Sequence, residues 1–145
     1  QLPEVPMIIE SRIDVRYPDA DPMGIVHHAV YALWYEIGRM DMFAAIGFGY
    51  KDMHALGIDP PMVNLNMNYY APVRYPDTVT VKTRIIDYAP KKIKFRYEAY
   101  IDGRQEPVAD AESFHIWTGP NMKSLDISQA LPEVYTNIIK ACESK

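Results

Sequence analysis

Cysteine is nearly absent from this sequence: Cys142 stands alone among 145 residues. One cysteine cannot close an internal disulfide, and no Cys or His pair has the spacing of a metal site. A hydrophobic core must therefore hold the fold, with Cys142 read as a small apolar residue on a terminal helix. A reducing compartment, the cytoplasm, is the expected setting. Long apolar runs are missing too, and no stretch approaches the roughly 18 residues of a membrane span. Gln1–Glu10 has neither a basic start nor a long apolar centre, so no export signal is expected there. Positive charge is not in excess: Lys and Arg total 15 against 19 Asp and Glu. That balance argues against general nucleic-acid binding, which relies on neutralising phosphates. It leaves room for a local basic patch that holds one anionic ligand. There is no repeat, no low-complexity tract and no linker.

What is present is enough apolar residue for a real core. Hydrophobic residues make up 48% of the chain and charged residues 23%, which is ordinary for one globular domain over 1–145. Ser11 to Tyr17 alternates, with Ile13, Val15 and Tyr17 on one face, and reads as a half-buried strand stopped by Pro18. Ala29 to Ile46 reads as a long helix. Val30, Leu33, Trp34, Ile37 and Ala44 recur on one stripe, and further aromatics make it apolar nearly all round. Gly47 and Gly49 end it, and Tyr50 to Leu56 fits a second short helix. Four strands follow: Met62–Tyr70, Thr78–Asp87, Ile93–Ile101 and Val108–Thr118. In the third of these, Ile93, Phe95, Tyr97, Ala99 and Ile101 share a face. Ala130 to Glu143 closes the chain as a helix with Pro132 in its first turn and Asp126 or Ser128 as cap. One strand, a long apolar helix, four consecutive strands and a helix make an α+β domain, with an antiparallel sheet wrapped around the helix.

The residues with chemical potential concentrate between Asp19 and His28. Two carboxylates, a proline, a glycine and two histidines precede the long helix there. A carboxylate just beyond a strand can serve as nucleophile or general base. Pro22 and Gly24 bend the chain sharply. The first amides of a helix, near His27, His28 and Ala29, have no intrahelical acceptor and carry the positive end of the dipole. That is what an oxyanion site needs.

The run Tyr17-Pro18-Asp19-Ala20-Asp21-Pro22-Met23-Gly24-Ile25-Val26-His27-His28-Ala29-Val30-Tyr31, continuing through Trp34, Tyr35 and Glu36 to Arg39, resembles the signature of the 4-hydroxybenzoyl-CoA thioesterase family. The family pattern is Asp-Pro-x-Gly-Ile/Val-Val before an aromatic or His pair and an aromatic helix. Its Tol-Pal-associated branch often carries Tyr-His where His27-His28 stands here. Tyr69 to Asp77 resembles the family's bend between two strands, and the likeness extends from about Arg12 to Thr118. It implies the hotdog fold, in which a curved antiparallel sheet wraps a central helix. It also implies acyl-CoA hydrolysis, and homodimers or homotetramers with active sites at subunit interfaces.

Carried over by position, the resemblance makes Asp21 the catalytic carboxylate and the His28 amide the group that polarises the carbonyl. Gly24 becomes the bend, and Lys91 and Lys92 lie where basic residues can meet coenzyme A phosphates. No cofactor beyond the coenzyme A of the substrate is implied. Val30 stands where many members have an Asn that braces loop or substrate. Asp19 reads as a solvated loop carboxylate and Glu36 as paired with Arg39 or with a partner subunit. His54 and His115 read as structural, with His115 a satisfied core residue. Two other readings stay open: a hotdog hydratase or dehydratase using His28 with Glu36, and a non-catalytic acyl-CoA binding module.

Overall fold

A computed structural model describes residues 7–142. Glu143 and most of Gln1–Glu10, on which expectations were placed, lie outside them. Strand β1 (Ile9–Asp14) leads through a one-turn 3₁₀ helix (Tyr17–Asp19) to α1 (Val30–Ala45) and α2 (Tyr50–Leu56). Then come β2 (Met62–Tyr69), β3 (Thr78–Ala89), β4 (Lys92–Ile101) and β5 (Ala109–Ile116), followed by α3 (Ile127–Ala130) and α4 (Pro132–Ala141). The strands form one antiparallel sheet in the order β1-β3-β4-β5-β2. The helix α1 lies against its inner face, which is the hotdog arrangement.

Alternation decides which face is inner. Val79, Val81, Thr83 and Ile85 of β3, Ile93, Phe95, Tyr97 and Ala99 of β4, and Ala109, Ala111, Ser113 and His115 of β5 are all buried. Their intervening neighbours Arg84, Lys94, Arg96, Glu98 and Glu112 form ion pairs on the outer face. The inner face receives Tyr31, Trp34, Tyr35, Gly38, Arg39, Met42 and Phe43 of α1. These recur at three- and four-residue spacings, as a helix stripe must. Phe43 meets Phe95 and Trp117 edge-on, and Tyr35 stacks on Tyr97.

This stripe is rotated from the expected one. Leu33 and Ile37 are 54% and 44% exposed and Ala44 is exposed. Only Trp34 of the expected set is fully buried, and Val30 is half-buried. The reason is Gly38. A Cβ there would overlap the Thr83 hydroxyl and crowd Val81, so the bare glycine lets α1 press its 31/35/38/42 side onto β3. β1 also ends sooner than expected, because the 3₁₀ turn begins at Tyr17, whose side chain faces solvent rather than the core. The terminal helix is broken at Leu131. Pro132 excludes the preceding residue from helical geometry, and Asp126 caps the short α3 through the amides of Ser128 and Gln129. Among the described residues no helix is long and apolar enough to cross a membrane.

Beneath α1 runs a buried polar chain. Arg39 Nη1 donates to Tyr97 Oη at 3.2 Å, Tyr97 Oη meets Ser113 Oγ at 2.6 Å, and Ser113 Oγ meets His115 Nε2 at 2.7 Å. His115 Nδ1 lies 2.9 Å from the Pro60 carbonyl. A carbonyl only accepts, so Nδ1 carries the proton and Nε2 accepts from Ser113. Every donor then points one way, from Arg39 to Pro60, and His115 must be neutral. Burial, and then the charge of Arg39, push its pKa down to about 4. Arg39 also pairs with Glu36 at 3.8 Å, as expected.

Two predictions follow from this packing. Gly38→Ala should lower stability by about 1–3 kcal/mol despite the roughly 1 kcal/mol that alanine gains within a helix; a urea midpoint unchanged or raised would contradict the close approach. His115 binds a proton near pH 6.5 when unfolded but only near 4 when folded, so stability is lost as pH falls between those values. Unfolding free energy should drop by about 2 kcal/mol from pH 7 to 5, and His115→Gln should remove most of that slope.

Candidate active site

The segment between β1 and α1 turns back on itself. After β1, Val15 N donates to Asp77 O at 3.0 Å. Pro18 then starts the 3₁₀ turn, and Asp19 folds inward. Asp19 is 5% exposed, not solvated. Its carboxylate accepts from Arg16 N at 2.8 Å and from the Arg16 guanidinium at 3.1 Å, which offsets the cost of burying the charge. Sequence reading placed it in solvent because these partners lie three residues back on a turn that alternation alone does not reveal.

Ala20 pairs with Val26 across the five residues 21–25. Asp21 N donates to Ile25 O and Gly24 N to Asp21 O, both at 2.8 Å. Gly24 closes the turn at φ +79°, a left-handed conformation that side chains with a Cβ resist. The Asp21 side chain caps the same turn, its Oδ1 accepting from Met23 N at 2.8 Å and Ile25 N at 3.2 Å. Among the described residues Oδ2 has no hydrogen-bond partner and is the oxygen left for chemistry.

The chain then enters α1. Val26 N donates to Val73 O and His27 N to Asp19 O. His27 Nδ1 accepts from Ala29 N at 3.1 Å, so its side chain caps the helix start and its ring proton sits on Nε2. Val30 N takes the His27 carbonyl. The amide of His28 has no acceptor among the described residues and lies just before the positive end of a 16-residue helix, whose own first-turn amides also lack intrahelical acceptors. Its carbonyl accepts from Tyr69 Oη at 3.0 Å, a brace from β2 at the helix start. Burial pushes the Tyr31 and Tyr69 hydroxyls up, so both stay protonated at neutral pH.

Two depressions flank this segment. One, of about 450 Å³, is lined by Asp21, Pro22 and Gly24 together with Tyr17, Pro18 and Tyr75. The other, of about 300 Å³, is lined by His28, Tyr31, Tyr69, Tyr70 and the apolar Ile25, Val26, Ala71 and Pro72. Asp21 and Gly24 line the first depression and His28 the second. Lys91 and Lys92 do not join them within one protomer. They sit on the β3–β4 turn beside a third depression of about 530 Å³ that includes Phe114 and Ile116, with Lys92 Nζ above the Phe114 ring. Lys92 pairs with Ile116 and Tyr69 with Ala109, seven residues apart along β5, or about 23 Å. Tyr17, Tyr31 and Tyr75 escaped the sequence reading as pocket residues. Tyr17 was placed on the core face, and Tyr75 carried no signal beyond its place in the bend.

The comparisons agree with the fold. The family model described as the thioesterase-like superfamily matches residues 15–132. The Bacillus subtilis protein YneP, provisionally named an acyl-CoA thioesterase, is 33% identical over 134 residues, covering 92% of this chain and 97% of that protein. The chain belongs to the thioesterase-like superfamily. This thioesterase-like chain is also 24% identical over 131 residues to the Arabidopsis thaliana chloroplastic acyl-acyl carrier protein thioesterase ATL3, covering 90% of this chain and 69% of that one. Among solved structures, DHNA-CoA thioesterase from Staphylococcus aureus superposes with a TM-score of 0.87 at 29% identity, covering 92% of this chain and 89% of that one.

Gly24→Ala should destabilise this thioesterase-like chain by about 1–2 kcal/mol, since nothing lies within 4 Å of the added Cβ and the penalty is purely conformational. Gly24→Asn should recover part of that loss. Equal stability of all three forms, read from thermal melts, would contradict the tight turn.

Proposed function

We propose that this chain hydrolyses acyl-CoA thioesters to a free acid and coenzyme A. The observation that carries the reading is the pairing, on one ten-residue segment, of a carboxylate with a free oxygen and a helix-start amide with no acceptor. The thioester oxygen lies against His28 N, where the helix dipole favours the negative charge that develops. Asp21 Oδ2 acts on the carbonyl carbon from the other side. It either attacks directly, expelling the coenzyme A thiolate and leaving an anhydride for water to open, or takes a proton from an attacking water. Both routes yield the same products, and neither needs a cofactor beyond the coenzyme A that arrives in the substrate.

Coenzyme A, rather than an acyl carrier protein, is the carrier in this reading, and Lys91 and Lys92 are the cations for its phosphates. Lys92 and Tyr69, whose hydroxyl holds the His28 carbonyl, stand about 23 Å apart along the sheet within one protomer, and a second copy resolves that separation. The edge strand β2 is free, with Met62, Val63, Tyr69 and Tyr70 exposed, and Leu33 and Ile37 leave an apolar stripe on α1. Two copies joined antiparallel through β2 bring the Met62 end of one, with its Lys91 and Lys92, beside the Tyr69 end of the other. A homodimer, or a tetramer built from it, is therefore the working form. Within the superfamily the 4-hydroxybenzoyl-CoA branch fits best, on the run from Tyr17 to Tyr31. The hydratase alternative is less well supported, because Glu36 is engaged by Arg39 and lies two turns along α1 from His28.

A panel of acyl-CoAs assayed for thiol release tests the proposal, wild type beside Asp21→Asn. Wild type should release thiol from at least one substrate, and the variant should lose at least about 100-fold in kcat. Full activity in Asp21→Asn would sink the assigned role. Hydration of a crotonyl thioester with no thiol release would favour the lyase.

A further inference from the structure

The two depressions beside Asp21 and His28 differ in kind, and the difference assigns the two arms of a thioester. A carbonyl seated between Asp21 Oδ2 and His28 N has its acyl group on one side and its sulfur on the other. The His28 depression is walled by Tyr31 and Tyr69, which meet edge-on at 4.9 Å, and by Ile25, Val26, Ala71 and Pro72. Tyr31 and Val26 belong to the buried core. This side is apolar and backs onto the interior, as an acyl chamber should. The Asp21 depression has the more polar lining, which includes the carboxylate itself. Its walls are Tyr17, 79% exposed, and Tyr75, 48% exposed, whose rings pack edge-to-face at 5.7 Å, together with Pro18 and Pro22.

Exposed rings held against each other beside a carboxylate present apolar faces that lie outside the buried core. Prolines add further apolar surface and no amide donor. That chemistry suits a flexible chain of methylene, amide and gem-dimethyl groups leaving the site toward solvent. We infer that Tyr17 and Tyr75 form a substrate-binding wall for the pantetheine arm of the thioester, on the thiol side of the scissile bond. The inference rests on the thioesterase reading above and adds to it a direction: acyl group toward Tyr31 and Tyr69, sulfur toward Tyr17 and Tyr75.

The test compares one acyl group carried by two thiols, coenzyme A and N-acetylcysteamine, which lacks most of the pantetheine arm and all of the nucleotide. Tyr17→Ala and Tyr75→Ala are assayed beside the wild type, with Tyr17→Phe and Tyr75→Phe to keep the rings. Each alanine variant should raise KM for the acyl-CoA by about tenfold with kcat little changed. The N-acetylcysteamine thioester should keep its kcat/KM within about twofold, and the phenylalanine variants should match wild type on both. Equal loss on both thioesters would place the rings on the acyl side and overturn the inference, as would no loss on either. A change in assembly mass accompanying the loss would assign the rings to a subunit contact and overturn it too. Failure of the wild type to cleave either thioester would instead bring down the thioesterase reading, and this inference with it.

Discussion

One backbone hydrogen bond, from His27 N to Asp19 O at 2.9 Å, closes the segment on which the site depends. It ties the first residue of the helix approach to the last residue of the 3₁₀ turn. Everything between them, including Asp21 and Gly24, becomes a loop with fixed ends. The bond is one of several, each worth about 1 kcal/mol net, but its position makes the others possible. The Asp21–Ile25 and Val26–Val73 bonds then set the turn against the chain that follows β2. The buried Asp19 carboxylate, held by Arg16, fixes the turn from beneath. A carboxylate and a free helix-start amide thus end up on one short segment whose ends the backbone fixes.

The helix itself supplies the electrostatics. Its dipole places roughly half a positive charge at its start, so a developing oxyanion there needs no side-chain cation. The direction of that dipole is set by how α1 lies in the sheet, and that seating is set by Gly38 against Thr83 and by the aromatic stacks of Tyr35 and Phe43. The Arg39–Tyr97–Ser113–His115 chain binds α1 to β4, β5 and the approach to β2 in the same core. Fold stability and site geometry are therefore one problem: a change that lifts α1 from β3 also moves the amide of His28.

Much of this was legible in the sequence. The alternation of β3 and β4 gave their inner faces because β-branched and aromatic residues occupy every second position there. The order of elements gave the wrapped-helix architecture, and the Asp-Pro-x-Gly run gave the turn. The helix face was misread because α1 is apolar nearly all round, so periodicity could not choose between the Leu33/Ile37 stripe and the Tyr35/Met42 stripe. Only the tertiary contact at Gly38 chooses. The burial of Asp19 and the exposure of Tyr17 were hidden for a related reason: a 3₁₀ turn reverses which side chains point inward, and strand alternation does not run through it. The remoteness of Lys91 and Lys92 from Asp21 is a matter of register along β5, which no local motif encodes.

The central claim is that a thioester carbonyl sits between Asp21 Oδ2 and the amide of His28. A crystal structure of the chain with a non-hydrolysable acyl-CoA analogue, its thioester sulfur replaced by methylene, tests it most directly. The account predicts the carbonyl oxygen within about 3 Å of His28 N, with Asp21 Oδ2 facing the carbonyl carbon. A bound analogue whose carbonyl lies away from the start of α1, with His28 N still uncommitted, would contradict it.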